Sequence, residues 1–264
     1  MPACNRWPDL DTGLQGKVAV VTGASSGIGR AVALAYAREG ARVALTYATG
    51  PERGQAVVDE IASRGGEALA VPLDLASANS IAAAFETIRR RFGGIDAFVA
   101  NAVALPRWRR FDETPIEDWL QDVATNFEGT ARSVAACLPL MQPRGAGRIV
   151  IVSSGSAIEG LPNGTAYLSA KTGLEGLARS LAWELGSAGI LVNVVAPGVT
   201  LTRDADPAGQ ARRDALAART PSQHLSLPDE VAQLIVWLGS FANSNMTGEI
   251  VREGSSNGRS SHIG

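Results

Sequence analysis

The chain has 264 residues, is 45% hydrophobic and carries a formal net charge of −2. That length supplies a core for one large α/β domain or two small ones, and the near-zero charge gives no electrostatic case for nucleic acid or an anionic membrane. Cys4 and Cys137 stand far apart in no metal or redox motif, and with only His224 and His262 present a histidine-based metal site is not expected.

The opening stretch MPACNRWPDLDTG is polar, with no apolar leader, and no apolar run reaches bilayer length. The expectation is a soluble cytoplasmic protein. Asn163-Gly164-Thr165 and Asn245-Met246-Thr247 match a glycosylation pattern; without a leader they are read as coincidence.

Short β-branched runs then alternate with helical patterns. KVAVVTG (17–23) reads as a buried strand and is followed by a helix from Gly27 to Glu39. ARVALTY (41–47) is a second strand, with a helix from Pro51. EALAVPL (67–73) is a third, followed by a helix over SIAAAFETIRRRF (80–92). IDAFVANA (95–102) is a fourth, and one long helical pattern covers Pro115 to Pro139. RIVIVSS (148–154) and ILVNVVAP (190–197) are the fifth and sixth strands, on either side of a helix containing TAYLSAKTG. A further helix follows Pro228, and EIVRE (249–253) is a candidate seventh strand. This rhythm predicts a doubly wound α/β fold, a parallel sheet of about seven strands covered on both faces. Residues 198–227 form the long irregular stretch, with a short helix in PAGQARRDALAART; such segments are often lids. The division expected is an N-terminal extension over 1–16, a nucleotide-binding and catalytic domain over 17–253 with a substrate lid at 198–227, and a tail over 254–264.

Two motifs carry chemistry. The first strand runs into TGASSGIGR, with Gly23, Gly27 and Gly29. A glycine-rich turn there brings backbone N–H groups and a helix N-terminus up to a phosphate. The same residues, Gly23-Ala24-Ser25-Ser26-Gly27, also fit the G-x-S-x-G elbow of serine hydrolases. An elbow ordinarily follows several strands, and it would need His224 or His262 as its base. The second motif places Tyr167 and Lys171 four apart, on one helix face. They are either a surface pair or a tyrosine acid whose pKa a neighbouring cation lowers.

With TGASSGIG near the start, AYLSAK in the second half and NVVAPGVTLT after it, the chain resembles a short-chain dehydrogenase/reductase, and more narrowly the branch that includes 3-oxoacyl carrier-protein reductases. The resemblance spans Lys17 to Glu249. It implies a nicotinamide-dependent oxidoreductase whose catalytic residues are Asn126, Ser154, Tyr167 and Lys171. It implies cofactor contacts at Gly23, Ser25, Ser26, Gly27, Ile28 and Gly29 in the first turn, and at Tyr47, Ala48 and Thr49 after the second strand. Further contacts are implied at Asp74 and Leu75 beside the adenine, at Asn101 and Ala102, at Tyr167 and Lys171, and at Pro197, Gly198 and Thr202 beside the nicotinamide. It also implies a homotetramer built on the long helices after the fourth and fifth strands. No metal is implied.

In this reading Tyr167 gives or takes the proton, Lys171 favours the phenolate and holds the ribose, Ser154 bonds the substrate oxygen, and Asn126 fixes a relay water. A free tyrosine titrates near about 10, so it must come down by roughly two or three pH units to exchange protons at neutrality. The end of the second strand holds no carboxylate to repel a 2′-phosphate, while Ser26, Thr49 and Arg53 can bond one, which favours NADP(H) over NAD(H). The substrate is expected to be a carbonyl or alcohol, small or carrier-bound. A C=N substrate, an inactive nucleotide-binding scaffold and a serine hydrolase stand as alternatives.

Two departures from the family pattern matter. Val103 stands where the N-A-G turn has glycine, which puts the local backbone shape in question. The tail VREGSSNGRSSHIG lacks the family's D-G-G segment. Finally, ALPRWRRFDE places Arg107, Trp108, Arg109 and Arg110 after the fourth strand, on the side where ligands enter such sheets. This is either a solvated basic turn or a docking patch for an anionic substrate or acidic carrier.

Overall fold

A computed structural model describes residues 11–105, 107–202 and 209–254. Strands β1 (Val18–Val21), β2 (Arg42–Tyr47), β3 (Ala68–Pro72), β4 (Ala97–Ala100), β5 (Gly147–Val152), β6 (Ile190–Pro197) and β7 (Ile250–Glu253) form one sheet. Their order is β3-β2-β1-β4-β5-β6-β7, and every neighbouring pair is parallel. The chain winds one way from β1 to β3 and the other way from β4 onward. The reversal leaves a crevice beyond the carboxyl ends of β1 and β4, where ligands bind in such sheets.

Both faces are covered. Helices α1 (Gly27–Arg38), α2 (Pro51–Ser63) and α9 (Pro228–Leu238) pack on one side, with Val32, Tyr36, Ile61, Val231 and Ile235 in the core. Helices α3 (Ala78–Phe92), α5 (Gly129–Met141) and α7 (Thr165–Leu185) pack on the other, with Phe85, Ile88, Cys137 and Leu174. Alternate β1 residues serve the two sides: Val18 and Val20 face one cluster, Ala19 and Val21 the other. A continuous apolar run thus becomes a strand buried on both faces. Two short helices, α4 (Ile116–Val123) and α6 (Ser156–Glu159), and α8 (Gln210–Ala217) lie on the loops at the carboxyl edge.

The single helix expected over Pro115–Pro139 is divided. A π-helical turn, Ala124–Glu128, separates α4 from α5. There Asn126 reaches the β4 loop with its amide, donating to the Ala104 carbonyl at 3.0 Å and accepting from the Ala104 N–H at 2.9 Å. Such insertions mark functional positions more often than chance. The helix also runs past Pro139 to Met141, because Met141 is fully buried against Gly147. No helix among the described residues is long and apolar enough to cross a membrane.

The glycine turn is the tightest point of the fold. A Cβ on Gly29 would collide with the Gly23 carbonyl, and would stand 2.5 Å from Asn101 Nδ2 and 2.9 Å from Ala24 Cα. A Cβ on Gly23, whose φ is +65°, would stand 2.8 Å from Ala102 Cα. Gly29→Ala therefore has no unstrained solution. We expect it to lower stability by about 1–3 kcal/mol and to weaken nicotinamide binding, measured by denaturant unfolding and by cofactor titration. A variant with wild-type stability and affinity would contradict this packing.

Candidate active site

The carboxyl end of β1 enters the glycine turn, and Ser26 caps α1 in an extended conformation. Its hydroxyl makes no capping hydrogen bond, and the first turn of α1 holds no acid. The N–H groups at the start of a helix have no intrahelical acceptors, and their partial positive charge favours an anion. At Gly27, whose φ is +56°, the mouth is open: among the described residues a Cβ there would meet only the Thr202 side chain, at 3.5 Å. A pyrophosphate fits these features. Ser25 and Ile28 are half-buried at the same turn.

Asn101 and Thr22 tie the turn to β4. Asn101 Nδ2 donates to the carbonyls of Thr22 at 2.9 Å and Gly23 at 3.2 Å, while Thr22 Oγ1 accepts from the N–H groups of Asn101 and Ala102, both at 3.0 Å. Asn101 thus builds the cradle instead of presenting its amide to solvent. Val103 settles the question raised by the missing glycine: it does not belong to the positive-φ residues, so the turn needs no glycine there, and its side chain is partly exposed.

At the end of β2, Tyr47 lies beside Gly54 of α2, whose Cβ position is 2.8 Å from Tyr47 Cδ1. Ala48 and Thr49 are exposed. Arg53 folds back over Gly50, with Nε 2.6 Å from the Cβ position there, and Glu52 Oε1 lies 2.9 Å from the same point. The Asp74 carboxylate accepts from Ala76 N–H at 2.9 Å, and Leu75 is buried against Gly129. Gly198 N–H donates to the Glu253 carbonyl at 2.7 Å, which joins the turn after Pro197 to the end of β7. Glu253 was not singled out from the sequence; its Oε2 is buried and, among the described residues, finds no hydrogen-bond partner.

Across the crevice, Ser154, Tyr167 and Lys171 come together. Ser154 follows β5, and Tyr167 and Lys171 lie in the first two turns of α7. Ser154 favours the ionised form of the phenol, and its hydroxyl accepts from the Ser156 N–H at 3.3 Å. Lys171 is 4% exposed, and its ammonium donates to the Val152 carbonyl at 2.7 Å. Its nitrogen lies 5.7 Å from the centre of the Tyr167 ring. Burial pushes the Tyr167 phenol above its ordinary value, and the neighbouring Ser154 opposes this only in part. Burial pulls Lys171 down to about 8. The lowering of the phenol expected from its lysine neighbour is therefore not present in the protein alone. Desolvation disfavours both charged forms and outweighs their mutual attraction.

The sequence of residues 23–252 matches the family model described as enoyl-(acyl carrier protein) reductase. D-threitol dehydrogenase of Mycolicibacterium smegmatis is 36% identical over 91% of this chain and 92% of its own. A 3-oxoacyl-[acyl-carrier-protein] reductase of Staphylococcus aureus is 32% identical over 89% and 95%. The chain belongs to the short-chain dehydrogenases/reductases. The crystal structure of a short chain dehydrogenase from Burkholderia cenocepacia in complex with NADP superposes with a TM-score of 0.85, at 34% identity over 93% of this chain and 99% of that one.

As a short-chain dehydrogenase/reductase, the protein is an oxidoreductase that uses a nicotinamide cofactor, and the serine hydrolase alternative falls. Its proposed elbow is the glycine turn directly after the first strand, and the His224 ring is engaged by Glu230, with Nε2 2.9 Å from Oε2. His262 lies outside the described residues. In this dehydrogenase Asn126 is 2% exposed and its amide is spent on backbone, since Nδ2 also donates to the Asp122 carbonyl at 3.0 Å. Its own carbonyl accepts from Thr130 Oγ1 at 2.7 Å. Asn126 therefore fixes the loop after β4 in place.

The arginines of that loop are largely neutralised. Arg107 bonds Asp122 through both its backbone N–H and Nη1, each at 3.0 Å. Arg110 clasps Asp112 at 2.6 and 3.0 Å. Beyond β6, Leu201 N–H donates to the Ser226 carbonyl at 2.9 Å, which ties together the two ends of the expected lid; residues 203–208 of it lie outside the described residues.

The lysine carries its charge below pH 8 and loses it above. A phenol that gives up its proton leaves a phenolate, which the charged lysine stabilises and the neutral amine does not. Carbonyl reduction should then fall as pH rises through about 8, with a slope approaching tenfold per pH unit. Lys171→Met should be slower at every pH and should lack this inflection. A wild-type profile flat from pH 7 to about 9 would refute the assignment.

Proposed function

We propose that the protein is an NADP(H)-dependent ketoreductase in which Tyr167 is the proton donor. Tyr167 with Ser154 favouring its phenolate, beside a buried ammonium, carries this reading. A phenol held neutral by burial is suited to giving a proton, which is the direction of reduction. A nicotinamide bound in the crevice would supply the hydride to the carbonyl carbon. Tyr167 gives its proton to the carbonyl oxygen as the C=O double bond becomes the C–O single bond of the alcohol. Ser154 turns its hydroxyl to that oxygen and steadies the developing charge. Lys171 stabilises the phenolate and is placed to hold the ribose; the α1 N-terminus is placed to hold the pyrophosphate. Residues 198–227 act as the substrate lid. Because Arg107 and Arg110 are already paired, the substrate is a free small molecule instead of one delivered by an acidic carrier.

Loss of nicotinamide absorbance against a panel of ketones, acyl thioesters and cyclic imines tests the activity. Tyr167→Phe should lower turnover by roughly a hundredfold or more and leave cofactor affinity nearly unchanged. If only the imines are reduced, or if Tyr167→Phe stays active, the ketoreductase reading fails.

For the cofactor, the end of β2 offers Thr49 and Arg53 and no acid at 47–49. Arg53→Ala should weaken NADPH about tenfold and NADH little, because a charged hydrogen bond to a phosphate is worth roughly 1.5–3 kcal/mol. Tyr47→Asp should shift preference toward NADH. Equal or tighter NADH binding by the wild type would overturn the choice.

The assembly we propose is a homotetramer in the cytoplasm. Trp183 on α7 is 91% exposed, an apolar cost that a second copy of the helix would offset. Trp183→Glu should give smaller species in sedimentation experiments; a wild type that sediments as a monomer would refute the assembly.

A further inference from the structure

The stretch after β4 carries an indole that hydride transfer does not use. Trp108 lies against the proton donor, with ring centres 5.6 Å apart and planes tilted by 51°. Its Cζ3 is 3.0 Å from the Cβ position of Gly164, and Leu161 Cδ2 is 3.4 Å from the same point. The glycine before α7 is therefore what admits the indole. The loop is fastened on both sides of Pro106: Ala104 is bonded twice to Asn126, and Arg107, next to the tryptophan, twice to Asp122. Trp108 is thus held in place, yet 48% of it is exposed.

It does not stand alone. Val103 and Leu105 on the same loop, Ile158 and Leu161 after β5, and Val199 after β6 are also exposed. Three loops of the carboxyl edge thus present apolar side chains to solvent, and of these Trp108 lies against the phenol while Leu161 shares its contact with Gly164. An exposed apolar wall beside a titratable side chain suits a ligand, and a tilted aromatic wall packs best against another flat group.

We propose that Trp108 is the specificity-determining wall of the substrate site, and that the substrate is an uncharged carbonyl or alcohol bearing a flat apolar group, aryl or alicyclic, beside the reacting carbon. This rests on the ketoreductase reading above. Hydroxyl-rich chains are disfavoured, because their hydroxyls would find few partners on this wall.

The test compares an aryl ketone, acetophenone, with a small one, acetone. In Trp108→Ala the ratio of their kcat/KM values should fall about tenfold or more, and Trp108→Phe should recover most of it. A smaller fall, or both substrates losing activity alike, overturns the proposal, since a merely structural role would move both together. Recognition is read separately by calorimetric titration of acetophenone into the Tyr167→Phe protein with saturating NADPH. Adding Trp108→Ala should weaken binding about tenfold; unchanged binding, or none in its presence or absence, overturns it. If the titration behaves as expected while the wild type reduces no carbonyl, the ketoreductase reading fails and the aromatic wall stands.

Discussion

The close approach of Gly29 to Gly23 and Asn101 is the contact on which the site depends. Helix α1 can lie over the carboxyl end of β1 only because no side chain separates them. That same approach aims the helix N-terminus into the crevice where the winding of the sheet reverses. Asn101 then fastens the turn to β4 through the carbonyls of Thr22 and Gly23. One packing constraint thus sets the anion cradle and the position of the loop that follows β4.

The chemistry on the other side of the crevice is governed by desolvation. Tyr167 and Lys171 are neighbours on α7, and in water the ammonium would draw the phenol's pKa down. In the fold both are taken from solvent, and burial raises the phenol while lowering the lysine to about 8. The Val152 carbonyl compensates the lysine with one hydrogen bond at 2.7 Å. The protein by itself therefore keeps a protonated acid beside a cation whose charge is easily lost. Its site is complete only when charge develops on the substrate.

The loop after β4 shows how a polar anchor can position an apolar wall. Asn126 satisfies both backbone groups of Ala104, and the helix accommodates the amide by opening one π turn. Asp122, four residues earlier, holds Arg107. The strain taken by the helix and the loss of a free arginine are offset by a loop that sets Trp108 against Tyr167. Of the three arginines that looked available for docking in the sequence, Arg107 is instead used to fasten the loop, and Arg110 is paired with Asp112.

The alternation of strands and helices, the glycine turn after β1 and the pairing of Tyr167 with Lys171 were legible in the sequence, because each is written in local spacing: two residues per strand repeat, 3.6 per helical turn, and glycines at a strand end. Ser154 was placed with them by the resemblance to the family, not by spacing. The division of the helix at Asn126, the neutral state of the phenol, the pairing of Arg107 with Asp122 and the contact of Trp108 with Tyr167 were not. Each depends on groups distant in sequence, or on how much water the fold removes. Side-chain type and spacing determine what a residue can do; only the packed structure decides which partner it meets and at what dielectric cost.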